Sequence, residues 1–154
     1  MQKEIQRSLD CLNKGGVLLY PTDTVWGLGC DATNPNAVKK IYEIKQRPDS
    51  KSVIILVSNF LMLQQYVSAV PFKAVEIMEE AVRPTTVIYP TARNLASNVI
   101  ADDGSVAIRI PSDEYCRQLI SAFGKPIVST SANVSGKKSS SLWAEITDYI
   151  KNSA

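Results

Sequence analysis

Residues 17–57, VLLYPTDTVWGLGCDATNPNAVKKIYEIKQRPDSKSVIILV, decide the fold. The stretch opens on the apolar block Val17 to Tyr20 and closes on Val53 to Val57, and short apolar blocks of this kind read as strands covered on both faces. Asn34 followed by Pro35 is a helix start, with a cap residue ahead of a proline at the first helical position. Val38, Ile41 and Ile44 then recur at helical spacing, so a helix runs to about Lys45. This order predicts a crossover helix between strand 17–20 and strand 53–57, right-handed if those strands are parallel. Between the first strand and the helix, PTDTVWGLGCDA (21–32) is rich in turn residues but carries Val25, Trp26 and Leu28, and reads as a structured loop.

Outward from this unit the alternation of elements continues. Ile5, Leu9 and Leu12 predict a helix over 2–13, stopped by Gly15 and Gly16. Helices follow at 59–68 and 71–81, with strands near 85–89 and at 105–110. The intervening TARNLASNVIADDG (91–104) reads as a loop. Ser112 begins a helix with Asp113 and Glu114 in its first turn, closed by Gly124 and Pro126. A strand resumes at 127–129, and Trp143, Ile146 and Ile150 mark a helix over 142–151. The pattern is α/β: a twisted, mainly parallel or mixed sheet with flanking helices, its strand ends opening onto loops where ligands bind.

With 154 residues and 45% hydrophobic content, one continuous core is expected. No apolar run approaches the roughly 20 residues that span a bilayer, and MQKEIQRSLDCLNKGG (1–16) lacks the apolar core of a secretory signal, so a cytoplasmic protein is expected. Cys11, Cys30 and Cys116 are far apart and unaccompanied by histidine, which removes the usual zinc and Cys-His arrangements and reads as small buried residues in a reducing compartment. The net charge of +2 does not announce a nucleic-acid binder. The absence of histidine excludes a Ser-His-Asp triad. Catalysis then rests on positioning, on fixed positive charge, or on a metal held mostly by the substrate.

Polar clusters stand out against this apolar frame. Lys45, Arg47 and Lys51 sit at or beyond a helix C-terminus, and Pro48 favours an extended exit that lets Lys45 and Arg47 share one cleft. They read as a phosphate or carboxylate clamp, or as a solvated basic helix end. STSANVSG (129–136) follows an apolar strand directly; its hydroxyls, the Asn133 amide and its backbone N–H groups suit a phosphate chain, or satisfy their own turns. Arg109 interrupts VAIRIP and must either snorkel out to water or meet an anion, from a protein carboxylate or a ligand, with Ser105 four residues earlier on the same side of an extended chain. Thr22, Asp23 and Thr24 follow the first strand and suit a small polar substrate. Trp26 serves as core packing or as a cover for an adenine. GLG (27–29) lacks the downstream glycine of a dinucleotide fingerprint, and no GxxxxGK[ST] loop is present.

Four of these segments, PTDTVWGLGCDA (21–32), KQRPDSK (45–51), SVAIRIP (105–111) and KPIVSTSANVSG (125–136), in that order over nearly the whole chain, resemble the YrdC/Sua5 family. The resemblance implies a YrdC-like (DHBP synthase-like) fold with a concave basic groove, as a single domain over residues 1–154 that ends earlier than family domains do. It implies a nucleotidyltransferase making threonylcarbamoyl-AMP and pyrophosphate from L-threonine, bicarbonate and ATP for the t6A modification of tRNA, with Mg2+ accompanying ATP. On this resemblance Lys45 and Arg47 are catalytic and bind phosphate. Thr24, Arg109 and Ser129 bind threonine, while Ser105, Ser131 and Asn133 line the ATP side. tRNA or double-stranded RNA, and a t6A transferase complex downstream, are the implied partners. Ser52 and Arg83 depart from the family pattern, whereas Thr86 in AVRPTTVI (81–88) keeps it. The competing readings are a non-catalytic RNA- or nucleotide-binding relative and a structural interaction domain.

Overall fold

The computed structural model describes residues 2–21, 26–46, 53–80 and 85–132. The described strands and α-helices are, in order, α1 (Gln2–Asn13), β1 (Leu18–Pro21), β2 (Trp26–Asp31), α2 (Pro35–Lys45), β3 (Ile54–Leu56), α3 (Phe60–Tyr66), α4 (Phe72–Glu80), β4 (Thr86–Tyr89), β5 (Val106–Arg109), α5 (Glu114–Phe123) and β6 (Ile127–Ser131), and all but β2 are predicted by the sequence. The segment 133–154, with its expected helix, lies outside the described residues. No described helix is long and apolar enough to cross a membrane.

Local chemistry sets most boundaries. The Asn34 side chain accepts hydrogen bonds from the N–H groups of Asn36 (3.0 Å) and Ala37 (3.3 Å), and Pro35 fills the first helical position, as expected. The helix expected from Ser112 starts two residues later, because Asp113 supplies the cap through a 3.1 Å bond from the Cys116 N–H. Gly124, at φ +77°, closes it in the left-handed conformation that glycine adopts without penalty. The loop at 91–104 includes a single 3-10 turn (Ser97–Val99) and is pinned to α3, with the Arg93 N–H donating to Tyr66 O at 2.8 Å.

The six strands form one sheet in the order β1-β2-β6-β3-β5-β4. Of the two expected alternatives the sheet is the mixed one: β3 and β5 are parallel and the other neighbouring pairs are antiparallel. The crossover expectation is corrected in one respect. β1 turns back into β2, which the sequence presented as loop, so α2 connects β2 to β3 and the strand at 17–20 runs opposite to β3. β6 inserts between β2 and β3, antiparallel to both.

Strand residues alternate between two faces, and directly paired residues share one. On the first face Leu28, Cys30, Val128, Ile55, Ile108 and Tyr89 are all buried. α2 packs on β2, and its Val38 and Ile41 join this apolar cluster. The second face carries Tyr20, Gly27, Gly29, Ser129, Ser131, Ile54, Ala107, Arg109, Thr86 and Ile88, following the pairings Tyr20↔Gly27, Gly27↔Ser131, Gly29↔Ser129, Ile54↔Ser129, Leu56↔Arg109 and Thr86↔Arg109. α1 and α5 cover its β1 end, where the Tyr115 ring meets the Tyr20 ring at 6.4 Å between centroids. Toward β4 it opens: Ile54, Ala107, Arg109, Thr86, Ser129 and Ser131 are half-buried and Ile88 is 71% exposed.

Tyr20 fits under α5 because Gly29, diagonally across the β1–β2 ladder, has no side chain. A Cβ at Gly29 would lie 2.9 Å from Tyr20 Cε1 and 3.0 Å from the Val128 carbonyl oxygen. Gly29→Ala is therefore expected to destabilise the fold by about 1–3 kcal/mol, read as a lower urea midpoint with an unchanged m-value.

Candidate active site

Lys45 is the last residue of α2, closed by Gln46 in a left-handed conformation at φ 54°. Its side chain is not the solvated helix end that the sequence left open. It is 2% exposed, and Nζ donates to the Ser131 carbonyl oxygen at 2.7 Å, with Ser131 Oγ at 3.5 Å. The helix thus delivers an ammonium to the C-terminal end of β6. An ammonium held out of water needs such oxygen partners.

Arg109 ends β5 on the open face. Its Nε donates to Thr86 Oγ1 at 2.9 Å, directly across the β4–β5 ladder. Among the described residues no carboxylate pairs with it, so the protein salt bridge that the sequence left open is not formed there. Fixing Nε on a hydroxyl orients the guanidinium, whose two terminal nitrogens are the pair that clasps a carboxylate.

Ser129 and Ser131 lie two residues apart on the same face, roughly 7 Å along β6, and β6 is two interstrand steps, roughly 10 Å, from β5. The Ser129 hydroxyl is hydrogen-bonded to the Tyr20 hydroxyl at 2.7 Å. Ser105 immediately precedes β5 and so stands at the Ser131 end of the sheet, away from Arg109, because β5 and β6 run in opposite senses. Its N–H donates to Asp103 Oδ1 at 2.9 Å, and hydrogen bonds from Ser105 hold that carboxyl below its ordinary range.

The structure therefore brings Thr86, Arg109, Ser129 and Ser131 onto one open face, with the Lys45 ammonium at one end and Ser105 along the same edge. Thr24, Arg47 and Asn133, together with Thr22, Asp23, Ser52 and Arg83, lie outside the described residues. Trp26 is partly buried against the core, consistent with packing. Sequence reasoning missed Tyr20, whose polar tip at the end of an apolar strand was the available signal. It noted Thr86 only as a retained letter. A separate groove of about 880 Å³ between α1, α5 and the turn after β3, lined by Ser58, Asn59, Ser112 and Arg117, shares no residue with this face.

The donor set on the face is hydroxyls, a carbonyl oxygen, an ammonium and a guanidinium. Among the described residues no cluster of His, Cys, Asp or Glu could hold a metal ion. Such a set suits anions, including a phosphate chain that carries its own cation, better than a resident metal.

The family model Sua5_yciO_yrdC, described as "Telomere recombination", matches residues 10–154. The chain belongs to the Sua5/YciO/YrdC family. A curated family member from Pseudoalteromonas translucida, named Threonylcarbamoyl-AMP synthase, is 37% identical over 139 residues, covering 88% of this chain and 74% of its own length. A variant of P. abyssi Sua5 superposes with a TM-score of 0.90 at 28% identity, over 99% of this chain and 47% of that one. P. abyssi Sua5 complexed with L-threonine gives 0.82 at 32% identity, over 91% and 42%. The chain thus spans less than half the length of these Sua5 proteins. The Sua5-type sheet is the mixed α/β sheet described above, with its flanking helices.

Lys45→Met keeps the length and apolar stem of the side chain but removes the ammonium. The hydrogen bond lost at the Ser131 carbonyl is then offset by relief of the buried charge, and stability is expected to change by no more than about 1 kcal/mol. Chemical denaturation checks this, and a loss of several kcal/mol would make the ammonium a structural pin.

Proposed function

We propose that the chain is a threonylcarbamoyl-AMP synthase, joining L-threonine, bicarbonate and ATP into threonylcarbamoyl-AMP and pyrophosphate for the t6A modification of tRNA. The observation that carries this reading is Arg109, oriented by Thr86 and without a protein carboxylate among the described residues, on the same open face as Ser129 and Ser131, with the buried Lys45 ammonium at the Ser131 end of that face. The 37% identity to a protein of that name supports the same reaction.

Two anionic reactants and a triphosphate must meet in one place, so fixed positive charge and positioning carry the chemistry. The threonine amine attacks the bicarbonate carbon; an N–C bond forms, water leaves and a carbamate results. A carbamate oxygen then attacks the α-phosphorus of ATP, the bond to the β-phosphate oxygen breaks, and pyrophosphate departs. Arg109 clasps the threonine carboxylate, with Ser129 and Thr24 beside it. Lys45 and Arg47 offset the charge developing at phosphorus. Ser105, Ser131 and Asn133 line the nucleotide side. Mg2+ enters with the triphosphate as part of the substrate and screens its charge. With no histidine in the chain, the amine proton passes to an aspartate, to bicarbonate or phosphate, or to solvent.

Incubation with Mg-ATP, L-threonine and bicarbonate is expected to yield threonylcarbamoyl-AMP and pyrophosphate in equal amounts. Arg109→Ala should lower kcat/KM for threonine by about 10- to 100-fold, through loss of a charge-assisted contact, while leaving the fold intact. A folded full-length protein that makes no product, yet binds RNA in a salt-sensitive manner, would instead point to the non-catalytic relative.

A further inference from the structure

Tyr20 is buried, at 2% exposure, with its ring against Gly29 and its hydroxyl 2.7 Å from Ser129 Oγ. Either oxygen of such a pair can donate, but the surroundings decide the direction. The phenol carries one proton, and among the described residues Ser129 is its only hydrogen-bond partner. Leaving a buried O–H without an acceptor costs about 1–3 kcal/mol, so the Tyr20 hydroxyl donates and Ser129 Oγ accepts. Burial also pushes the phenol pKa up, which keeps that proton in place. The Ser129 proton must then point elsewhere. Ser129 is half-buried on the open face and has no other partner among the described residues, so its hydroxyl is presented there as a donor.

A second hydroxyl pair holds this arrangement from behind. Ser8 of α1 donates to the Glu4 carbonyl oxygen at 2.8 Å and so accepts from the Tyr115 hydroxyl of α5. The Tyr115 ring in turn packs against the Tyr20 ring at an interplanar angle of 41°.

We propose that Tyr20 is a positioning residue that fixes Ser129 as a hydrogen-bond donor to an anionic oxygen of the amino-acid substrate, on the face that also carries Arg109. The assignment rests on the synthase reading and adds to it a reason for substrate preference. A serine free to rotate accepts as readily as it donates, whereas this one selects a carboxylate oxygen.

The test combines Tyr20→Phe, which keeps the ring over Gly29, with Ser129→Ala and the Y20F/S129A double variant. KM values for threonine and ATP, calorimetric threonine binding and melting temperatures are measured for all of them and for wild type. Tyr20→Phe should raise the threonine KM and Kd roughly 3- to 10-fold, with little change in the KM for ATP. The double variant should match Ser129→Ala to within about twofold, because once the serine is gone the tyrosine has nothing to orient. A threonine KM unchanged by Tyr20→Phe, whatever its melting temperature, or effects that multiply in the double variant, would overturn the assignment while wild-type turnover leaves the synthase reading standing. A wild type that neither binds threonine nor forms product removes both.

Discussion

The register of β6 governs everything on the ligand face. This strand enters the middle of the sheet from the far end of the chain and pairs antiparallel with β2 and β3 at once. Because strand side chains alternate, a slip of one residue would bury Ser129 and Ser131 and expose Val128 and Thr130. The apolar demand of Val128 for the core side, against Leu28, Cys30 and Ile55, therefore fixes the serines on the open side. Arg109 and Thr86 share that side through β3 and β5. The polar face follows from hydrophobic burial on the opposite one.

Two devices then tune the face. The left-handed cap at Gln46 ends α2 where the Lys45 stem can run through the protein and deliver its ammonium to Ser131. Gly29 leaves room for Tyr20 to lie flat under α5 and reach Ser129. One supplies charge and the other direction. Neither needs an imidazole, in keeping with a chain that has no histidine.

Helix α2 was legible because its signals are local: Asn34 caps, Pro35 starts, and Val38, Ile41 and Ile44 repeat. The interruption of an apolar strand by Arg109 was equally visible. β2 was not, since WGLGCD has two glycines and low strand propensity, and becomes a strand only because β1 and β6 pair with it. Strand order and the destination of Lys45 depend on contacts across many residues of sequence, Ser131 being 86 positions away. The helix cap at Asp113 rather than Ser112 was a choice between two adjacent good caps, settled by which side chain reaches the Cys116 N–H. The likeness to Sua5 proteins was carried by motif order, but which motif residues share a face came only from the pairing register.

Isoleucine methyl resonances distinguish the two faces of the sheet directly. Ile54 and Ile88 lie on the open face, while Ile55 and Ile108 lie on the buried one, within the same strands or next to them. Titrating Mg-ATP and L-threonine into methyl-labelled protein is predicted to shift Ile54 most and to leave Ile55 and Ile108 nearly unchanged. Shifts confined to the buried pair, or the absence of any shift at Ile54 under saturating ligand, would contradict the assignment of this face to substrate.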